Sequence, residues 1–486
     1  MPWNFDNSYF RQFEGFYAPW QLDRPASPSL LVWNEALARE LGITPPQDDA
    51  SLTEIFAGAA LPPGSNPIAL AYAGHQFGHF SPQLGDGRAL LLGEQITPTG
   101  ARFDIQLKGS GRTPFSRNGD GKSAVGPALR EYLVSEAMAA LGVPTTRSLA
   151  VALTGETVVR QRAHPGAVLT RVARSHIRVG TFQFFAAHLG ADHVRKLADY
   201  AIARHYPEAA QAANPYLAFL EAVMDAQIRL VAAWVNIGFV HGVMNTDNVA
   251  ISGETLDYGP CAFIDSYSPQ ASFSSIDANG RYAFGNQPNI CSWNIRQLAV
   301  ALAEVIGDSD EQDIARANLL LDSFPERYLA VWLEGMRAKL GFSAAHDDDA
   351  ILVDELFAAM QEQNVDFTQF FRQLGKVPEA GPQAVSGLCA DPGAILPWLE
   401  AWQSRIAREP MPATERSAAM NAVNPVTIPR NHKVEEALAA AEDGDMAPFQ
   451  TMLEAVRYPF EVRAAWAQFA SPAPASFGSY VTFCGT

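Results

Sequence analysis

The chain has 486 residues, with 52 Asp plus Glu against 35 Lys plus Arg and a formal net charge of -17. That length calls for several structural units around at least one large core, and the acidic balance argues against a nucleic-acid-coating role, which needs clustered cations to neutralise phosphates. No apolar run of about 18 residues is present to span a membrane. The N-terminus, Met1-Pro2-Trp3-Asn4, lacks the basic and apolar regions of a secretory signal. The four cysteines, Cys261, Cys291, Cys389 and Cys484, show no C-x-x-C spacing. A cytoplasmic protein with reduced thiols, and without nucleic-acid or membrane partners, is the expectation.

In chain order, residues 1 to about 70 are rich in aromatics and prolines and read as an extension packed on the rest. One helix is expected there, over 29–41, stopped by Gly42. From Ile68 the pattern changes. Gly85-Asp86-Gly87-Arg88 leads into an apolar run over 89–92, and the turn Pro98-Thr99-Gly100 leads into Phe103-Asp104-Ile105-Gln106-Leu107-Lys108. The alternation and the Gly and Pro punctuation predict two strands joined by a short turn. A helix follows over 125–141, stopped by Gly142 and Pro144, and then strand-like runs at 148–152, 157–161 and 168–172. Spacings of three and four among Leu220, Val223, Met224, Ile228, Val231, Trp234 and Val235 predict a core-facing helix over about 215–236. Beyond Asp308 the chain reads as helices, broken by a loop around 380–392, with final helical stretches at 434–441 and 448–456.

The segment richest in chemistry is His241-Gly242-Val243-Met244-Asn245-Thr246-Asp247-Asn248, followed by Asp257-Tyr258-Gly259. In kinases a loop of form H-[RG]-D-x-x-x-x-N precedes D-F-G, and its Asn and the later Asp hold metal on the nucleotide phosphates. His241 and Asn248 keep that spacing, but Val243 stands where the catalytic Asp belongs and cannot accept a proton. Asp247 is the nearest carboxylate able to replace it. Lys108 closes a strand after a hairpin and Glu131 lies on the next helix, the arrangement of a Lys–Glu pair that positions phosphates; taken alone, Glu131 equally reads as a solvated helix charge.

Gly85 and Gly87 are placed to bring backbone N–H groups close to phosphate. The stretch Asn118-Gly119-Asp120-Gly121-Lys122-Ser123 ends like a Walker A loop, but Ser116 stands at its first Gly and no strand immediately precedes it. The P-loop reading is therefore rejected, and Asp120 and Gly121 are kept as part of a loop closing over a nucleotide. Arg171, Arg174 and Arg178 read either as a polyphosphate clamp or as a basic surface stretch. In Gly74-His75-Gln76-Phe77-Gly78-His79 the two histidines invite a metal reading, but Gly78 disfavours the helix it requires, so structural histidines in a tight turn are expected.

Together these residues resemble the selenoprotein O (YdiU) family, over nearly the whole chain. The resemblance is carried by Tyr72-Ala-Gly-His-Gln-Phe-Gly, by Leu84-Gly-Asp-Gly-Arg-Ala-Leu-Leu-Leu-Gly-Glu94, by Gln106-Leu-Lys-Gly-Ser-Gly-Arg-Thr-Pro-Phe-Ser-Arg117, by the 241–248 and 256–260 segments, and by Pro429-Arg-Asn-His432. It implies an α+β, protein-kinase-like two-lobed fold: an N-terminal extension (1–70), a small lobe (71–165), a large lobe with the metal and catalytic loop (166–340), and a helical C-terminal region (341–486). The family binds ATP inverted relative to kinases and transfers AMP to Ser, Thr or Tyr hydroxyls of proteins, with UMP transfer and manganese in some members.

Carried onto this chain, the resemblance implies that Lys108, Arg171 and Arg178 neutralise the phosphates and that Gly85, Gly87, Arg88, Asp120 and Gly121 line the ATP site. Asn248 and Asp257 would bind magnesium, Asp257 also facing the nucleotide. Asp247 would be the base, and Glu131 would position Lys108. Relatives commonly carry a redox-active Cys near the C-terminus, and some bridge it to a Cys in the loop after D-Y-G. Cys484 keeps the terminal position, but the loop at 271–276 has no cysteine, which leaves Cys261 or Cys291 as a partner, or a free thiol. Two other readings stay open: a kinase-fold enzyme moving the γ-phosphoryl group with Asp247 as base, and an inactive ATP-binding scaffold.

Overall fold

The computed structural model describes residues 3–44, 49–308 and 310–482. Within them the chain is mixed α/β, with an antiparallel sheet in its first part and a predominantly helical remainder. The sheet is built from β1 (Tyr17–Pro19), β2 (Ser29–Trp33), β3 (Ile68–Gln76), β4 (His79–Gly85), β5 (Ala89–Ile96), β6 (Arg102–Lys108), β7 (Ser123–Ala124), β8 (Arg147–Val159) and β9 (Ala163–Ala173). Its order is β1-β3-β5-β6-β9-β8-β2, with β4 on β3 and β7 on β9. β1 and β2 thus occupy the two ends of the path, and the segment before residue 70 is woven into the sheet rather than laid upon it.

The helix expected over 29–41 is only half present. Ser29–Trp33 is strand, paired with β8, and only Glu35–Leu41 is helical. The apolar run Leu30, Leu31 and Val32 satisfies its backbone in the sheet, and the Asn34 side chain then accepts the Leu37 N–H at 3.2 Å, so the helix begins at that cap. The runs expected at 148–152 and 157–161 fall largely in one strand, β8, interrupted by register shifts.

Helix Val125–Ala140 lies against β8 and β9. Its other side is braced by helices Asn431–Glu442 and Ala447–Arg457, through a cluster in which Leu129, Tyr132 and Leu133 meet Leu438, Phe449 and Met452. Each such side chain, fully buried, stabilises by about 1.5–3 kcal/mol, so the C-terminal region fixes the helix that carries Glu131.

Helix Pro215–Asn236 is the axis of the helical part. Asn214 caps it, accepting from the Tyr216 and Leu217 N–H groups at 3.1 and 3.0 Å, and Pro215 sits where no N–H is needed. Its buried face packs against helices Gln287–Gly307 and Phe324–Leu340. The chain then turns at Gly238 (φ 76°) into β10 (Phe239–Val240), which pairs with β11 (Ala262–Phe263). The loop between these two strands carries His241 to Asp257. No helix among the described residues is long and apolar enough to cross a membrane.

Candidate active site

Strand periodicity assembles the first part of the site. Side chains two apart on a strand share a face, and so do directly paired residues on neighbouring strands. Gln106 and Lys108 on β6 therefore share a face with Arg171, which pairs with Gln106 across β9. Helix Val125–Ala140 presents Glu131 to that face. Lys108 Nζ donates to Glu131 Oε2 at 2.6 Å and to Asp257 Oδ2 at 2.7 Å; Arg171 donates from Nε to Glu131 Oε1 at 2.6 Å and from Nη2 to Asp257 Oδ2 at 3.0 Å. Two cations and two carboxylates thus close a cluster that is buried except at Asp257, which faces the cleft. Burial alone would raise the Asp257 carboxyl, but Lys108, Arg171 and Arg88 outweigh it and hold it well below the usual carboxylate range.

The second part comes from the 241–248 loop and helix Val179–His188. Residues 177–179 pair with 249–251 through Val179 N–H to Val249 O at 2.9 Å and Ile251 N–H to Ile177 O at 3.1 Å. This brings Arg178 over the loop, where Nη1 donates to the Asp247 carbonyl at 2.9 Å, Nη2 faces Asp86 Oδ1 at 3.3 Å, and the guanidinium stacks 4.2 Å from the Tyr72 ring centroid. The Asp247 side chain is buried, and its Oδ1 has no hydrogen-bond partner. Burial raises its carboxyl above the ordinary value, opposed by Arg178. A carboxylate held this way is a stronger base than one in water. Val243 is buried in the same loop, and its N–H donates to His241 Nδ1 at 3.3 Å.

β3 and β4 close the site from the other side. Gly74 lies directly on Asp247: a Cβ there would stand 2.6 Å from Asp247 Oδ1. The turn at Phe77 and Gly78 is stapled to the loop by His75 N–H to Thr246 Oγ1 at 2.7 Å and Phe77 N–H to Asn245 Oδ1 at 3.0 Å. His75 Nδ1 meets Gln183 Nε2 at 2.8 Å, so this histidine braces the loop through Gln183 and Thr246.

Between these parts lies a cleft of about 590 Å³. Of the residues expected to serve the nucleotide or the chemistry, Gly85, Gly87, Arg88, Lys108, Asp120, Gly121 and Arg171 line it from the sheet side; Arg178, Asp247, Asn248 and Asp257 line it from the other. Glu131 stands behind Lys108. Arg174, grouped with Arg171 and Arg178 in the sequence, is exposed and does not line the cleft, because β9 ends at Ala173 and the chain has turned.

Several lining residues had no sequence signal of their own. Asp86 anchors Arg178 and also accepts from Gln106 Nε2 at 3.0 Å. Arg160 donates from Nη1 and Nη2 to the two Asp120 carboxylate oxygens, at 2.8 and 2.9 Å. Lys122 pairs with Glu156 at 2.8 Å. The family segments containing Asp86 and Lys122 pointed to the neighbourhood, but only tertiary contact identifies their partners.

Seven cations line the cleft against four carboxylates, in a chain of net charge -17, so the site concentrates positive charge for an anion. Two side-chain oxygens in the lining are donors of the type a hard cation takes. Asn248 donates from Nδ2 to the Val243 carbonyl at 3.1 Å, which leaves its amide oxygen for a metal, and Asp257 is kept ionised. Among the described residues no group of three or more His, Cys, Asp or Glu could hold a metal. Two oxygen ligands suit magnesium, which keeps waters and takes phosphate oxygens.

A family model described as protein adenylyltransferase SelO matches residues 1–457. The chain belongs to the SelO family. It is 57% identical over 487 residues to the protein nucleotidyltransferase YdiU of Sphingopyxis alaskensis and 56% identical over 489 residues to that of Cereibacter sphaeroides strain KD131, in each case across 100% of both chains. A Rhizobium rhizogenes protein of the same name is 51% identical over 100% of this chain and 97% of its own length. In this SelO-family chain, Cys261 and Cys291 are buried, and burial pushes the Cys261 thiol up to about 12 and raises that of Cys291. Cys484 lies outside the described residues.

Proposed function

We propose that this SelO-family chain is a protein adenylyltransferase that moves AMP from ATP to Ser, Thr or Tyr hydroxyls of proteins and releases pyrophosphate. Family membership supports nucleotidyl transfer to protein. The observation that carries the residue-level reading is the cleft itself, where a cluster of cations faces a buried Asp247 carboxylate whose Oδ1 has no hydrogen-bond partner, while Val243 occupies the place of a kinase base.

In this reading the lobes are kinase-like, with residues 71–165 and 166–340 enclosing the nucleotide, 1–70 as an N-terminal extension that lends β1 and β2 to the sheet, and 341–486 as a helical C-terminal region. Asp247 takes the proton of the acceptor hydroxyl, whose oxygen bonds to the α-phosphorus as the bond to the β-phosphate oxygen breaks. Lys108, Arg171 and Arg178 offset the charge that gathers on pyrophosphate, and Glu131 holds Lys108 and Arg171 in place. Gly85, Gly87, Arg88, Asp120 and Gly121 contact the nucleotide. Asn248 and Asp257 would hold magnesium, which supplies charge neutralisation at the phosphates when bound; manganese, with UTP in place of ATP, is a second pairing for the same donors.

ATP labelled at either the α or the γ phosphorus, offered with magnesium and a generic protein acceptor, tests the proposal. Protein label from α alone supports it, and Asp257→Ala should abolish that label. Label from γ alone would establish the phosphotransferase alternative, and ATP binding without label from either would establish the scaffold.

A further inference from the structure

Arg117 differs from most cations of the cleft. Lys108 and Arg171 share Glu131 and Asp257, Arg178 faces Asp86, Arg160 grips Asp120, and Lys122 pairs with Glu156. Arg117 lines the same cleft, is exposed, and its side chain has no hydrogen-bond or ion-pair partner among the described residues. Its backbone is left-handed, φ 51°, a conformation that costs a residue with a Cβ roughly 1 kcal/mol or more unless the surroundings impose it.

The surroundings do impose it. Thr113 Oγ1 donates to the Asp86 carbonyl at 2.6 Å, and Ser116 Oγ donates to the Gly87 carbonyl. The Phe115 ring packs on Gly85, where a Cβ would collide with it. Gly119 N–H returns to the Ser116 carbonyl at 2.8 Å, and Arg112 Nε donates to the Gly119 carbonyl at 2.9 Å. Residues 113–119 thus form a fastened turn over the glycine pair, with Arg117 at its tip. The tip stands in the same wall as the reactive residues: Arg117, Arg178, Asp247 and Asn248 all line the one cleft. An arginine that only balanced an acidic surface would need neither a strained backbone nor a place in this wall.

We infer that Arg117 is a further phosphate-binding residue, a guanidinium held at the tip of the 113–119 turn to contact the polyphosphate of the bound nucleotide. Its role in the reaction, offsetting charge on the departing pyrophosphate, rests on the AMP-transfer reading; its role in binding rests on the cleft alone.

Arg117→Gly tests this cleanly, because glycine accepts the left-handed turn and removes only the side chain. The full chain and this variant are titrated with ATP and with magnesium pyrophosphate by calorimetry, and α-label transfer is timed in parallel. The variant should bind both ligands about tenfold more weakly, the loss expected for one charge-assisted contact. Its melting temperature should not fall, and Arg117→Lys should recover part of the affinity. Unchanged affinity for both ligands in Arg117→Gly would overturn the inference, as would a wild-type chain that binds neither. If the wild type binds ATP yet transfers no α label, the AMP-transfer reading fails, and the two affinities still decide the place of Arg117.

Discussion

Glu131→Gln removes one negative charge from the buried cluster that organises the cleft. Glu131 is 3% exposed, and its two oxygens accept from Arg171 and Lys108, each at 2.6 Å. The same two cations converge on Asp257 at 3.0 and 2.7 Å. With both carboxylates ionised the cluster is neutral; with glutamine it holds one uncompensated positive charge. At about 3 Å and an effective dielectric of about 20, a single contact is worth roughly 5 kcal/mol gross, and breaking buried pairs costs about 3–5 kcal/mol net. Glutamine keeps one acceptor oxygen, so about 3 kcal/mol is expected, read as a lower urea midpoint at unchanged slope.

Nucleotide affinity should behave differently from stability. A polyphosphate supplies the missing negative charge, so the ATP dissociation constant should stay within about threefold of wild type. What disappears is the anchor that aligns Lys108 and Arg171, and kcat for α-label transfer should fall at least about tenfold. An unfolding free energy within about 1 kcal/mol of wild type, together with an unchanged kcat, would refute the claim that Glu131 organises these cations.

Gly74→Ala places a Cβ 2.6 Å from Asp247 Oδ1 and 3.0 Å from its Cβ; it should cost about 1–3 kcal/mol by overpacking and lower kcat more than it weakens ATP, measured by transfer kinetics beside calorimetry. Glu254, buried and hydrogen-bonded to Ser252 Oγ and the Arg174 N–H, has its carboxyl pushed up to about 7 by burial. Its folded value exceeds its unfolded one, so the folded state binds more protons between about pH 4.5 and 7, and its contribution to stability is full below that window and lost as pH rises through 7. Relative to Glu254→Gln, the wild type should therefore lose roughly 2–3 kcal/mol between pH 4.5 and 8, in paired denaturation curves; parallel curves would refute the assignment.

Much of the site was legible because its residues sit in local patterns. Strand alternation through Gln106 and Lys108, the loop from His241 to Asn248 and the later Asp257 are short-range signals, and each maps to the cleft. Asp86, Arg160 and the Gly74 contact were not legible, since their meaning lies in partners far away in sequence: Asp86 with Arg178, Arg160 with Asp120, Gly74 with Asp247. Arg174, which the sequence left open between a phosphate clamp and a basic surface, is exposed. The end of β9 at Ala173 settles that choice by turning the chain away from the cleft.

Residues 29–33 show the same division in the fold. Apolar Leu30, Leu31 and Val32 suit a helix face or a strand equally well, and pairing with β8 settles the matter by satisfying their backbone hydrogen bonds. By itself, then, the sequence determined the chemistry on offer: which residues are ionisable, which backbone positions demand glycine, and that valine stands at position 243, where no proton can be accepted. Only the tertiary structure decided which charges neutralise one another and which are left facing the cleft, because Coulomb energy depends on distance and burial, and neither can be read along the chain.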